Sequence, residues 1–191
     1  MAVAGRWLPQ RGRPECRREL LRHGARDRTG DRQVRLGVIS DTHGVLRPQV
    51  FEIFKEVDHI LHGGDVGRSD LLVELRALAP VTAVYGNSDG FELRSQLPQV
   101  AEIELDGFPI VVTHGDQFGS PNPSKLHEAF PDAEIIIFGH SHRPLLELVD
   151  KTVTVMNPGG AGAPRFGIPP SVGVLELEAG IPPRGRIVAL Q

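Results

Sequence analysis

The chain has 191 residues, is 40% hydrophobic and carries a formal charge of −3. This suits one domain, or one domain and a tail, with enough apolar residues for a sizeable core. The single cysteine, Cys16, excludes an intrachain disulfide and a cysteine-based zinc site, and no apolar run approaches the roughly 18 residues of a membrane span.

Residues 1–33 hold nine Arg against four Asp/Glu, or +5, and residues 34–191 hold 12 Lys/Arg against 20 Asp/Glu, or −8. The first segment shows little periodicity and reads as a basic, disordered tail, with the folded domain at 34–191. A nucleic-acid arm, a targeting peptide and a non-native upstream extension all remain open for the tail. The N-terminus lacks the apolar stretch of a secretory signal, and with one cysteine a reducing, cytoplasmic setting is expected.

The β-branched run at 34–40 predicts a strand. Pro48, followed by Val50, Phe51, Phe54 and Val57 at helical spacing, predicts a helix. A short strand is expected at 59–62. A helix capped by Ser69 follows, with Leu71, Leu72, Leu75 and Leu78 on one face, and then a strand at 81–85. Strands alternating with helices imply parallel βαβ units. The pattern then changes. Residues 100–105 and 109–114 flank Asp106-Gly107, a hairpin signal. Asn122-Pro123 opens a short helix with Leu126 and Phe130, and strands are expected at 134–138, 145–149, 152–156, 171–177 and 186–190. The fold class is therefore α/β, with parallel and antiparallel pairing.

The strand ends carry the chemistry, because α/β sheets place their sites at the carboxyl ends of strands. The first ends in Asp41 and His43, the second in Asp65 and the third in Asn87. The hairpin's second strand ends in His114, and the strand at 134–138 ends in His140 and His142. A glycine adjoins each cluster and lets backbone turn sharply or approach a ligand. One such end is an ordinary polar turn. Five ends together would crowd titratable groups without structural gain. Seven O and N donors exceed one tetrahedral zinc and suit two cations of higher coordination sharing a carboxylate.

In this order the motifs Asp41-Thr42-His43, Gly64-Asp65, Gly86-Asn87-Ser88-Asp89, His114 and Gly139-His140-Ser141-His142 resemble the calcineurin-like metallophosphoesterases, most closely the small single-domain phosphodiesterase branch. The resemblance spans about residues 34–177. It implies a four-layer αββα sandwich with two mixed β-sheets. It implies that Asp41, His43 and His142 hold one metal, that Asn87, His114 and His140 hold the other, and that Asp65 bridges them. Asn87 would also contact substrate. Two divalent cations are implied, with manganese placed first and iron, zinc, cobalt or nickel equally compatible with mixed N/O ligands. The implied reaction is hydrolysis of a small phosphate ester by a metal-bridging hydroxide, with no protein nucleophile.

Ser88 departs from many relatives, which place there a histidine that protonates the leaving group. A serine cannot serve as that acid near neutral pH, so a preference for diesters or good leaving groups is expected. The alternative reading is a non-catalytic binding scaffold on the same fold, as in the retromer-type relatives of the branch. A scaffold is free to lose ligands, and here all seven stand. The strongly acidic core disfavours a nucleic-acid polymer as partner. Oligomeric state is left open. Asp89 is either a turn residue or a loop orienter, and His62 either a core histidine or a support for the site. Asp116 is a candidate to orient His114, and the segment 157–160 resembles one that shapes the family pocket.

Overall fold

The computed structural model describes residues 33–178 and 180–191. The tail expected over 1–33 lies outside the described residues, save Gln33.

β1 (Val34–Ile39), β2 (His59–His62) and β3 (Val81–Ala83) pair in parallel. β9 (Ser171–Glu178) and β10 (Ile181–Ala189) add antiparallel strands on the far side of β1, giving the order β10-β9-β1-β2-β3. A second sheet has the order β4-β5-β6-β8-β7. In it β4 (Val100–Leu105) and β5 (Phe108–Thr113) are the expected hairpin, with Asp106 and Gly107 both at positive φ and Leu105 paired to Phe108. β6 (Ile135–Ile137) and β8 (Val153–Asn157) run parallel to β5, while β7 (Leu145–Val149) runs antiparallel to β8. Both sheets are mixed, as expected.

The period-2 alternation of the strands divides the core. Leu36 and Val38 of β1, Ile110 and Val112 of β5, and Ile135 and Ile137 of β6 share one cluster between the sheets. The alternate residue Ile39 joins Val50 and Phe54 of α1 (Pro48–Phe54) and Leu71 and Leu75 of α2 (Ser69–Arg76). On the second sheet Val111, Ile136 and Val155 face Leu126 of α4 (Pro123–Ala129). These clusters produce the four layers. A fully buried side chain such as Phe54 contributes roughly 1.5–3 kcal/mol by leaving water.

Three local expectations are corrected. Ser69 is the first residue of α2, and the cap position is Arg68, with no side-chain capping bond. A further helix, α3 (Phe91–Gln96), stands where no helix was expected, because it buries only Leu93 and so carries no apolar stripe. β10 begins at Ile181, five residues before the expected 186, with its pairing interrupted between Ile181 and Arg184 where Pro182-Pro183 lie. Asn122 caps α4 as expected, its Oδ1 accepting from the Lys125 amide at 3.0 Å.

Candidate metal centre

The loops after β1 and β2 zip together beyond the sheet, with the amides of Asp41, His43 and Gly44 donating to the carbonyls of Gly64, Asp65 and Val66. The loops after β5 and β6 meet through the Gly139 amide and the His114 carbonyl, 3.1 Å apart. His114 Nδ1 then crosses to the Gly63 carbonyl at 2.8 Å, joining the strand ends of both sheets. All seven expected residues are brought together. Asp41, Asp65, His114 and His142 are buried, His43 and His140 half-buried, and Asn87 exposed at the rim.

Two groupings emerge. In the first, His142 Nε2 lies 3.2 Å from Asp41 Oδ1 and 3.3 Å from His43 Nε2, and the two imidazoles stack at 5.2 Å. In the second, Asn87 Oδ1 lies 3.2 Å from His114 Nε2 and 3.0 Å from His140 Nδ1. Asp65 Oδ2 stands between them, 3.8 Å from His43 Nε2 and 3.5 Å from His114 Nε2. Asp41, His43 and His142 could hold a cation, as could Asp41, Asp65 and His114, so Asp41 also borders the second group.

The donor chemistry fits cations. A carbonyl only accepts, so His114 Nδ1 must carry the proton that faces Gly63. In the neutral ring Nε2 then presents a lone pair to the Asn87 and Asp65 oxygens. Nε2 stands 3.2 Å from the first oxygen and 3.5 Å from the second, and facing electron-pair donors at these distances repel unless a positive charge sits among them. Bonds of about 2.0–2.2 Å to one ion place neighbouring donors roughly 3 Å apart, which matches this spacing. Asp41 Oδ1 is buried yet accepts no hydrogen bond, whereas Oδ2 accepts from Ser40 Oγ at 2.7 Å and from the His140 amide at 3.2 Å. One oxygen is held by protein and the other is left for a ligand.

Backbone strain concentrates here. Asp41, His43, Asp65, His140 and His142 all have φ between 46° and 66°. Only nine described non-glycine residues have positive φ, and five are in this cluster. Such residues persist where the surroundings over-determine them, and they gather at functional sites. Two glycines are required by close approach. A Cβ at Gly86 would meet Asp65 Oδ1 at 2.2 Å, and one at Gly139 would meet Ser40 Oγ at 2.0 Å.

Burial pushes the Asp41 carboxyl up to about 7, against the opposing pull of His114 and Ser40. Burial also works to raise Asp65, but His114, hydrogen bonds from Ser88 and the nearby His43 outweigh it and hold Asp65 below the usual range. Burial lowers His43, and it lowers His142 to about 4 with help from the Arg165 charge. Neutral imidazoles are the form that binds metal.

The supporting residues were only partly foreseen. Asp89 orients loops: its carboxylate accepts from the amides of Val66 at 3.1 Å, Gly67 at 2.8 Å and Gly86 at 2.9 Å, tying the Asp65 loop to the Asn87 loop. His62 supports the site as well. The Gly64 amide donates to its Nδ1 at 3.2 Å, so its Nε2–H faces Thr42 Oγ1 at 3.0 Å. Asp116 does not orient His114, since the Gly63 carbonyl does so. Arg94 of α3 was not singled out, yet it donates to the carbonyls of Gly86, Asn87 and Asp89 and holds the Asn87 loop. Ser88 contributes its amide to Asp65 Oδ1 at 2.8 Å and its hydroxyl to His43 Nδ1 at 3.3 Å. The segment 157–160 does back the site: Asn157 Nδ2 donates to the Gly139 carbonyl at 2.8 Å, and Gly160 packs against His142.

A family profile, the calcineurin-like phosphoesterase superfamily domain, matches residues 34–180. A probable metallophosphoesterase of Methanothermobacter thermautotrophicus is 34% identical over 150 residues, 75% of this chain and 86% of its own. The solved structure of an archaeal phosphodiesterase superposes with a TM-score of 0.66 at 28% identity, covering 82% of this chain and 100% of that one. Vps29 of Entamoeba histolytica, solved as a zinc complex, shares the fold with a TM-score of 0.64 at 24% identity, covering 82% and 99%. Among the described residues no helix is long and apolar enough to cross a membrane.

Proposed function

Because the chain belongs to the calcineurin-like phosphoesterase superfamily, we propose that it is a phosphodiesterase dependent on two divalent cations and acting on a small phosphate ester. Asp41, His43 and His142 would hold one cation, Asn87, His114 and His140 the other, and Asp65 would bridge them. The observation that carries this reading is the position of Asp65 Oδ2, one carboxylate oxygen within 3.8 Å of a donor nitrogen in each group. Bound, the cations would lower the pKa of a water between them and polarise the phosphoryl oxygens. Manganese is the first candidate, and mixed N/O donors also suit iron, zinc, cobalt and nickel.

The chain's own residues prepare the site. The Ser88 amide occupies Asp65 Oδ1 and leaves Oδ2 turned inward. The Gly63 carbonyl fixes the His114 tautomer, so Nε2 is the free donor. Asn87, exposed at the rim, is the residue of the set placed to touch substrate. The serine hydroxyls in the cluster are engaged, Ser40 Oγ with Asp41 Oδ2 and Ser88 Oγ with His43 Nδ1, and the reading assigns no protein nucleophile.

Saturated protein should hold two ions per chain and hydrolyse bis(p-nitrophenyl) phosphate. Asp65→Ala should lose both metal and turnover. One ion per chain at saturation, or turnover surviving in Asp65→Ala, would overturn the reading. Two ions without turnover on any phosphate ester would favour the scaffold alternative.

A further inference from the structure

Residues 161–170 form a loop rooted in the site. The Ala161 amide donates to the Ser40 carbonyl at 2.9 Å, the Gly162 amide to the Asp41 carbonyl at 3.2 Å, and Arg47 Nε to the Gly162 carbonyl at 3.1 Å. Its tip is a two-residue turn. The Ile168 amide donates to the Arg165 carbonyl at 2.8 Å, with Phe166 at φ 53° and Gly167 at φ 74°.

The turn places two side chains with no structural use. Both central φ values are positive, the arrangement that favours Asn-Gly. A phenylalanine in that first position is a steric outlier, and here the residue is also 77% exposed. Strain and apolar exposure fall on one residue. Beside it, Arg165 extends Nη1 to within 3.4 Å of His142 Nε2. None of the ion pairs among the described residues includes Arg165. A cation in the first group would occupy His142 Nε2, and the guanidinium would then stand at the edge of the metal centre with its donors unused.

We infer that Arg165 and Phe166 are the recognition element of this site, Arg165 gripping a phosphoryl oxygen and Phe166 stacking on a planar ring, nucleobase or aryl, carried by the same phosphoester. The inference rests on the phosphodiesterase reading for its site and adds the substrate class. A planar guanidinium binds phosphate oxygens in pairs, and stacking on an exposed aromatic tolerates any flat ring. A ring stacked on Phe166 would remove its apolar exposure, while the positive φ holds the side chain out to meet it.

The test compares binding of AMP and ribose 5-phosphate to the metal-loaded chain by calorimetry, since the two differ only by the base. Wild type should bind AMP roughly tenfold more tightly. Phe166→Ala should erase that preference and leave ribose 5-phosphate unchanged, while Arg165→Ala should weaken both ligands to a similar degree. Phe166→Gly, which relieves the positive φ, should unfold at a temperature no lower than wild type and still lose the preference. A structural role for Phe166 would not give that combination. Phe91→Ala, at a second exposed ring (88%), should keep the preference. Phenyl phosphate against inorganic phosphate separates the ring sources: a Phe166-dependent gain in that pair indicates any aryl group, and a gain with AMP alone indicates a nucleobase. No AMP preference in wild type, or the same preference in Phe166→Ala, overturns the inference, and turnover of diesters in that case leaves the phosphodiesterase reading intact. Absence of turnover with the AMP preference present would do the reverse.

Discussion

Asp41→Asn in metal-stripped protein should gain stability over wild type as pH rises, and should lose that advantage when metal is returned. Burial raises the wild-type carboxyl from 3.8 to about 7 in the folded state. A group whose folded pKa lies above its unfolded value contributes stability that is complete below the unfolded value, here 3.8, and is lost as pH climbs through about 7. Roughly three units at about 1.4 kcal/mol each give an upper limit of about 4 kcal/mol. His62 and His142, both lowered to about 4 mainly by burial, act oppositely and add stability as pH rises toward 6.5. Wild type alone would therefore show a blunted profile, and the variant is needed to isolate Asp41. The asparagine oxygen can still accept from Ser40 and the His140 amide, and its NH₂ can donate to His142 Nε2. The assay is urea unfolding from pH 4 to pH 8 with chelator present, repeated with excess divalent cation. The difference between variant and wild type should widen by a few kcal/mol toward pH 8, then reverse with metal, because a ligand bound only by the folded state stabilises it. A constant offset across the whole range would refute the assignment of a buried, raised carboxyl to Asp41.

Asp89→Ala leaves three amides of two site loops without their acceptor. It should cost on the order of 3 kcal/mol in thermal or urea unfolding and weaken metal retention on dialysis. Ser88→His restores an acid near the leaving group, where such help is worth about 10²–10⁴-fold. Its kcat/KM should fall less steeply than wild type across esters of rising leaving-group pKa, with metal content checked because Ser88 also touches His43. A chain beginning at Gln33 should keep the thermal midpoint and turnover of the full chain, and a large drop in either would show that residues 1–32 support the fold.

The strands were legible because alternating apolar residues stop abruptly at polar ends. Ile135–Ile137 is buried on both faces, and the two histidines beyond it have no place in a core. The hairpin at Asp106-Gly107 was legible because positive φ at both positions demands that chemistry. Helix α3 was not, since Phe91–Gln96 is fixed by Arg94 reaching backbone carbonyls rather than by an apolar face. For the site, the seven residue types could be read from strand ends. Asp89 could be named as a candidate loop orienter, but the chain order does not show that it accepts from amides 22 and 23 residues back, nor that the Gly63 carbonyl fixes the His114 tautomer. The first depends on the loops after β2 and β3 lying side by side, and the second on two stacked sheets bringing their strand ends together.

The energetic state of the cluster bears on the choice between enzyme and scaffold. Five non-glycine residues at positive φ cost about 1 kcal/mol each or more, with Asp and His at the lower end. The buried Asp41 carboxylate adds its own penalty near neutral pH. Together these approach the whole stability of an ordinary domain, roughly 5–15 kcal/mol. A chain using this fold only as a binding surface would be more stable with glycine or asparagine at the left-handed positions and an apolar side chain at Asp41. Nothing in the core clusters requires those seven side chains, since the sheets close through Leu36, Val38, Ile110, Val112, Ile135 and Ile137. On the proposed reading, cations among the facing donors would offset the cost of the buried charge, and the left-handed backbone would aim those donors at them. On that account metal removal should lower stability as well as any activity, a coupling that a scaffold with a vestigial site would lack.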